Sequence, residues 1–143
     1  LIAPGATVEQ CEGWQRLNSR VEGIPKFLPR QEAINYLGGC TATAFLYSTG
    51  NSGTTAALRL GIAARRPVVA FPSRQTKDLE EDARILWCEN EKEVVSSLAS
   101  LHMDLRLRRD MTDAAVSLAK EDSWINVAAK YAQIYRQLSG GAA

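Results

Sequence analysis

Thr41 to Pro72, TATAFLYSTGNSGTTAALRLGIAARRPVVAFP, is the stretch whose reading decides the fold. Thr43 to Tyr47 is apolar and β-favouring without strict alternation, the pattern of a strand covered on both faces in a parallel sheet. The loop Ser48-Thr49-Gly50-Asn51-Ser52-Gly53 breaks that pattern. From Thr54 onward Ala57, Leu58, Ile62 and Ala63 recur at helical spacing, so one face of a helix packs on the sheet. Pro67 stops the helix, and Val68-Val69-Ala70-Phe71 supplies a second strand. The three parts make one βαβ unit. A turn that opens a helix at the carboxyl end of a parallel strand offers free backbone N–H groups to the crevice, where anions are favoured.

Working outward toward the amino terminus, Leu1-Ile2-Ala3 before Pro4-Gly5 reads as the end of a short buried strand. Thr7 caps a helix running to about Arg20. Ile24 to Leu28 is a short strand candidate, and a helix from Gln31 to Leu37 closes at Gly38-Gly39. Beyond the βαβ unit, Pro72 to Thr76 is a loop, Lys77 to Ala83 a short charged helix, and Ile85 to Cys88 the last strand candidate. Three amphipathic helices follow. Asn90 caps the first, which runs to about Leu101 with Val94, Val95, Leu98 and Leu101 on one face, and His102-Met103 is the joint. The second runs from Leu105 to Lys120, with Leu107, Met111, Ala115, Val116 and Leu118 inward. Asp122 or Ser123 caps the third, through Leu138, with Trp124, Val127, Ala128, Tyr131, Ile134 and Tyr135 spaced for burial. Residues 139–143 are expected to form a disordered tail. The alternation predicts an α/β fold, a doubly wound parallel sheet followed by C-terminal helices, in one domain over residues 1–138.

The 143 residues suit a single domain that buries roughly 70% of its unfolded surface. Seventeen basic residues against 16 acidic ones leave a net charge of +1, too little for a field that tracks a nucleic-acid backbone. Cys11, Cys40 and Cys88 are odd in number and widely spaced, with neither a zinc-ligand nor a disulfide pattern, and fit buried thiols in a reducing cytoplasm. No apolar run approaches the roughly 20 residues of a membrane span. Beginning at Leu1, the chain is expected to be a piece of something longer.

The order of elements and several local strings resemble the C-terminal, donor-binding half of GT-B glycosyltransferases, in the large retaining family that makes polysaccharides and glycoconjugates. Lys26-Phe27-Leu28, the helix through Ile34 and Leu37, and Ala44-Phe45-Leu46-Tyr47-Ser48 resemble its strand, helix and strand ending in serine. Leu60-Gly61-Ile62-Ala63-Ala64-Arg65-Arg66-Pro67-Val68-Val69-Ala70 is similar to its helix end and following strand. Asp122-Ser123-Trp124, Val127-Ala128 and Tyr131 through Tyr135 match its closing helix. The likeness runs from about Val21 onward. It implies a Rossmann-like domain, a nucleotide-diphosphate sugar as substrate with no cofactor, and a retaining hexosyltransfer completed by an N-terminal acceptor-binding half that these residues lack. It also implies a cytoplasmic setting, with the inner face of a membrane as a further location.

The chain departs from that family at its signature pair of glutamates, separated by seven residues. With Pro67 in register, Ser52 and Leu60 stand where the acids would be. Leu60 cannot accept a hydrogen bond from a ribose hydroxyl, and Ser52 can do so only as a short neutral group. The chain is therefore either a variant that holds its donor differently or a degenerate domain with a scaffold role; a flavodoxin-like module is a third reading.

Asn51, Ser52, Gly53, Thr54 and Thr55 at the helix start are the candidate donor phosphate and ribose contacts, and Arg74 and Lys77, which follow the next strand on the crevice side, are candidates for a diphosphate contact. The resemblance itself implies a diphosphate grip by an Arg and a Lys on a strand that these residues lack. The bland alternatives are an ordinary capped helix start and a solvated loop. Arg65 and Arg66 terminate a helix on the opposite edge and complement its dipole. Arg106, Arg108 and Arg109 with Asp104 and Asp110 read as a solvated face, or as a contact for anionic headgroups. The family's donor half also opens with a mid-sheet strand that this chain starts after, so an exposed sheet edge through which copies associate is expected.

Overall fold

The computed structural model describes residues 6–46, 55–74, 76–79 and 82–140. Contacts divide the chain into two compact units, residues 1–33 and 34–143.

In the first unit, α1 spans Val8–Leu17. Thr7 starts it through a capping box: its Oγ1 accepts from Gln10 N at 3.1 Å, and Gln10 Oε1 accepts from Thr7 N at 2.8 Å. Cys11 on α1 is buried, and a Cβ built on Gly23 would lie 2.6 Å from its Sγ, so the returning chain passes too close for any side chain there. The strand expected over Ile24 to Leu28 does not form. Ile24 alone makes a bridge, and Pro25 and Pro29 remove the donors a ladder would need. Helix α2, Arg30–Gly38, begins in this unit and ends in the second.

The second unit holds β1 (Thr43–Phe45), α3 (Thr55–Ala63), β2 (Val68–Ala70), β3 (Leu86–Trp87), α4 (Glu91–Met103), α5 (Leu105–Glu121) and α6 (Trp124–Gly140). The three strands form one parallel sheet in the order β1-β2-β3, with Thr43 opposite Val68 and Val69 opposite Leu86. The fold is thus α/β, as expected, and the βαβ unit is present. The sequential order among the described residues has no reversal, so this is not the doubly wound arrangement expected, whose strands run outward in both directions from a switch point. The strand expected at Leu1-Ile2-Ala3 lies outside the described residues.

Alternation along β2 sorts the core into two layers. Val68 and Ala70 pack with Phe45 and with Leu58 and Ile62 of α3, joined by Leu79, Ile85 and Leu118. Val69 packs on the other side with Cys88, Val94 and Leu101 of α4, and Met111 of α5. Helix α5 therefore contributes to both layers. On β1 only Thr43 and Phe45 are buried; Ala44 and Leu46 are exposed, so this strand is covered on one face rather than on the two expected. Gly61 lets α3 approach β1: a Cβ there would overlap Phe45 Cε2 and stand 2.6 Å from its Cζ.

Between β2 and β3 a charged helix is expected over Lys77 to Ala83; its described residues, 77–79, 82 and 83, form no helix, and 80 and 81 lie outside the described residues. Thr76 N donates to Ser73 O, Leu79 N to Thr76 O, Asp82 N to Leu79 O and Ile85 N to Asp82 O, all at 2.8–3.1 Å. Each of these bonds spans three residues rather than the four of an α-helix, and among the described residues of this segment 77–79 and 83–84 lie in turns. Thr76, Leu79 and Ile85 at the junctions are buried.

Helix starts and stops follow local chemistry. Asn90 caps α4 by accepting from Glu93 N. Asp104 ends α4 and caps α5, its Oδ1 accepting from Arg106 N and Leu107 N, so the joint falls at Asp104 and His102 belongs to the last turn of α4. Ser123 accepts from Asn126 N and Val127 N at the start of α6.

The expectation that α6 buries its aromatic face is overturned. Trp124, Ile125, Tyr131, Ile134, Tyr135 and Leu138 are all exposed, Trp124 at 78%. The helix packs against α5, and both faces of the sheet at β2 are already occupied by α3 and α4. Val95 and Val116, expected inward, are also exposed. Ser139 and Gly140, expected in the tail, continue α6, and 141–143 lie outside the described residues.

Candidate functional site

The rim at the carboxyl ends of the strands is where the expected site falls. Helix α3 starts there with Thr55, placed by its main chain as the first helical residue; Asn51, Ser52, Gly53 and Thr54 lie outside the described residues. The segment after β2 belongs to the same rim. Its first turn is closed twice, since Thr76 Oγ1 accepts from Ser73 N at 2.9 Å and donates to Ser73 O at 3.0 Å. That turn carries Arg74, and the next carries Lys77. Both side chains are exposed, and neither has an ion-pair partner among the described residues. Three of the expected site residues, Thr55, Arg74 and Lys77, thus share one rim. Leu60 is half-buried on α3.

A residue missed in the sequence is Arg59, next to Leu60. Its guanidinium binds Asp78 of the turn segment and Asp122 at the joint of α5 and α6, tying three distant segments together. The partners are 19 and 63 residues away, so no local pattern could have disclosed them. A second arginine cluster lies at the start of β3. Arg84 forks onto Asp82 at 2.8 and 2.9 Å and onto Glu121 at 2.7 and 2.9 Å. Those bonds hold both carboxyls below their usual range and push the guanidinium up. With one guanidinium shared between two carboxylates on different segments, the cluster is a clamp between the β2–β3 connection and the end of α5.

The amino ends of the strands carry a different feature, a groove of about 530 Å³ lined by Cys40, Arg66, Leu105, Arg108, Arg109 and Asp113 among others. Arg66 is fixed by its Nε, which donates to Gly38 O at 2.7 Å and so also caps α2. Arg106, Arg109, Asp104 and Asp110 are exposed, as the reading of a solvated face expects, while Arg108 between them is half-buried. No group of three or more His, Cys, Asp or Glu side chains among the described residues is arranged to hold a metal ion. No described helix is long and apolar enough to cross a membrane.

Compared with known proteins, the chain matches no family profile, no curated sequence and no solved structure.

Proposed function

We propose that these residues are the nucleotide-sugar-binding half of a GT-B glycosyltransferase, holding the donor at the carboxyl rim with chemistry completed by an acceptor-binding half. The observation that carries the reading is the parallel β1–α3–β2 unit, whose rim bears the start of α3 at Thr55 and the cations Arg74 and Lys77, neither of them in an ion pair among the described residues. The capped start of α6 at Ser123-Trp124 adds support. A donor diphosphate is doubly charged, and a helix start with two uncommitted cations is the chemistry that receives it. The reading requires strands beyond the three described, and it places the protein in the cytoplasm or at the inner face of a membrane. Copies would associate through the exposed edge of the sheet.

Calorimetric titration of the chain with UDP-, GDP- and ADP-sugars tests it. One of these binds, and replacing both Arg74 and Lys77 with alanine weakens that binding by about tenfold or more. If none binds at millimolar concentration, the donor reading fails.

A scaffold role is favoured by one specific observation, the exposed aromatic and aliphatic side chains of α6 beside the loss of both acids. Under that reading no sugar nucleotide binds, and Trp124→Ala with Tyr135→Ala abolishes capture of a protein partner.

A further inference from the structure

The groove at the amino rim plays no part in the donor reading. Its lining holds three guanidinium groups, those of Arg66, Arg108 and Arg109, against one carboxylate, that of Asp113. None of the three is in an ion pair among the described residues, although Asp113 lies one helical turn beyond Arg109. Among the described residues Arg66 commits only its Nε, to Gly38 O, which fixes the side chain and leaves both terminal nitrogens without a described partner. Arg66 and Arg108 are half-buried, so each has given up water without gaining a counter-charge. Contrast Arg59 and Arg84, which the fold surrounds with carboxylates. An anion with several oxygens satisfies guanidinium forks two bonds at a time, and phosphate has the matching geometry. A volume of about 530 Å³ admits a diphosphate with room beyond it. Leu105 in the lining and Met103 two residues before it are exposed, which puts hydrocarbon beside the arginines.

We propose that this groove binds a phosphate-bearing anion through Arg66, Arg108 and Arg109, supplied either as a soluble diphosphate or as the headgroup of an anionic lipid. Cys40 provides the readout, because it lines the groove and is the exposed one of the three free cysteines, Cys11 and Cys88 being buried. The chain is alkylated with iodoacetamide while inorganic pyrophosphate is titrated in. In separate reactions it is alkylated with vesicles of phosphatidylglycerol or of phosphatidylcholine, and labelling is located by mass spectrometry.

At a probe concentration about ten times Kd, labelling of Cys40 slows about tenfold and the effect saturates. Replacing Arg108 and Arg109 together by glutamine removes the protection, and Asp113→Asn strengthens it by removing the opposing charge. Protection by pyrophosphate identifies a soluble ligand as sufficient; protection by phosphatidylglycerol vesicles alone identifies the lipid headgroup. Absence of protection by either anion overturns the proposal, as does protection that survives the double replacement. If the double replacement exposes Cys11 or Cys88 to labelling, it has unfolded the chain, and Asp113→Asn then decides, since unchanged protection in that variant also overturns the proposal.

Discussion

Replacing Gly61 by alanine sets two effects of opposite sign against each other. Within a helix, alanine is favoured over glycine by about 1 kcal/mol, because glycine loses more backbone freedom on folding. At this position the added methyl overlaps Phe45 Cε2, stands 2.6 Å from Cζ and lies 3.2 Å from Thr43 Oγ1. Phe45 is only 9% exposed and belongs to the same buried cluster as Leu58 and Ile62, so moving its ring disturbs that packing. Forcing a methyl into such a core costs about 1–3 kcal/mol. Overpacking therefore wins, and Gly61→Ala destabilises by about 1 kcal/mol, lowering the urea midpoint by roughly half a molar unit. Phe45→Leu removes the ring atoms in conflict, and in that background the same alanine stabilises by about 1 kcal/mol. The sign reversal corresponds to a coupling of about 2 kcal/mol in a double-mutant cycle, within the range for residues in contact. Urea unfolding followed by circular dichroism measures all four proteins. An equal rise in midpoint on adding alanine to both backgrounds would refute the close approach of α3 to β1.

Arg84→Gln breaks the clamp on Asp82 and Glu121. Both carboxyls are held down in the folded chain, so their contribution to stability is complete above about pH 5 and is lost as the pH falls through the lowered values. At neutral pH the loss from the Asp82 end, which is 17% exposed, is about 1 kcal/mol after allowance for solvent screening. The acid limb of a stability–pH curve measured by chemical denaturation flattens in the variant, whereas unchanged acid sensitivity would show the clamp to be idle. Arg65, just past the end of α3, has φ of 57°, in the left-handed region where a side chain crowds the backbone. Arg65→Gly is expected to stabilise by about 1 kcal/mol, read as a higher thermal midpoint, and Arg65→Val to lower it.

Much of the fold was legible because it is written in local chemistry. Thr7 and Asn90 announce helices through the amides they cap, Pro67 marks the boundary between α3 and β2, and the run Val68-Val69-Ala70 has no polar residue to suggest an open face. Where a partner decides the outcome, the same local signals mislead. The spacing of Trp124, Tyr131 and Tyr135 shows that α6 has an apolar face, but periodicity cannot tell whether another element covers it. The composition of Lys77 to Ala83 suits a helix, yet the buried junctions at Thr76, Leu79 and Ile85 impose turns. At the site, Arg74 and Lys77 could be assigned to the carboxyl rim because they follow a strand directly. The groove formed by Arg66 with Arg108 and Arg109 joins residues more than forty positions apart, and no sequence spacing marks it.

The chain of turns from Ser73 to Ile85 keeps a count of three, with a hydrogen bond closing each step and buried side chains at Thr76, Leu79 and Ile85 marking the beat. Removing one residue from it throws every later anchor out of phase, swinging a buried side chain into water and an exposed one inward. Each step also ends on a side chain that the rest of the fold uses, Leu79 and Ile85 in the core and Asp82 in the clamp with Arg84. Shortening the link between the second and third strands by a step therefore gives up one of these anchors, so the length of the link is tied to the layers beneath it.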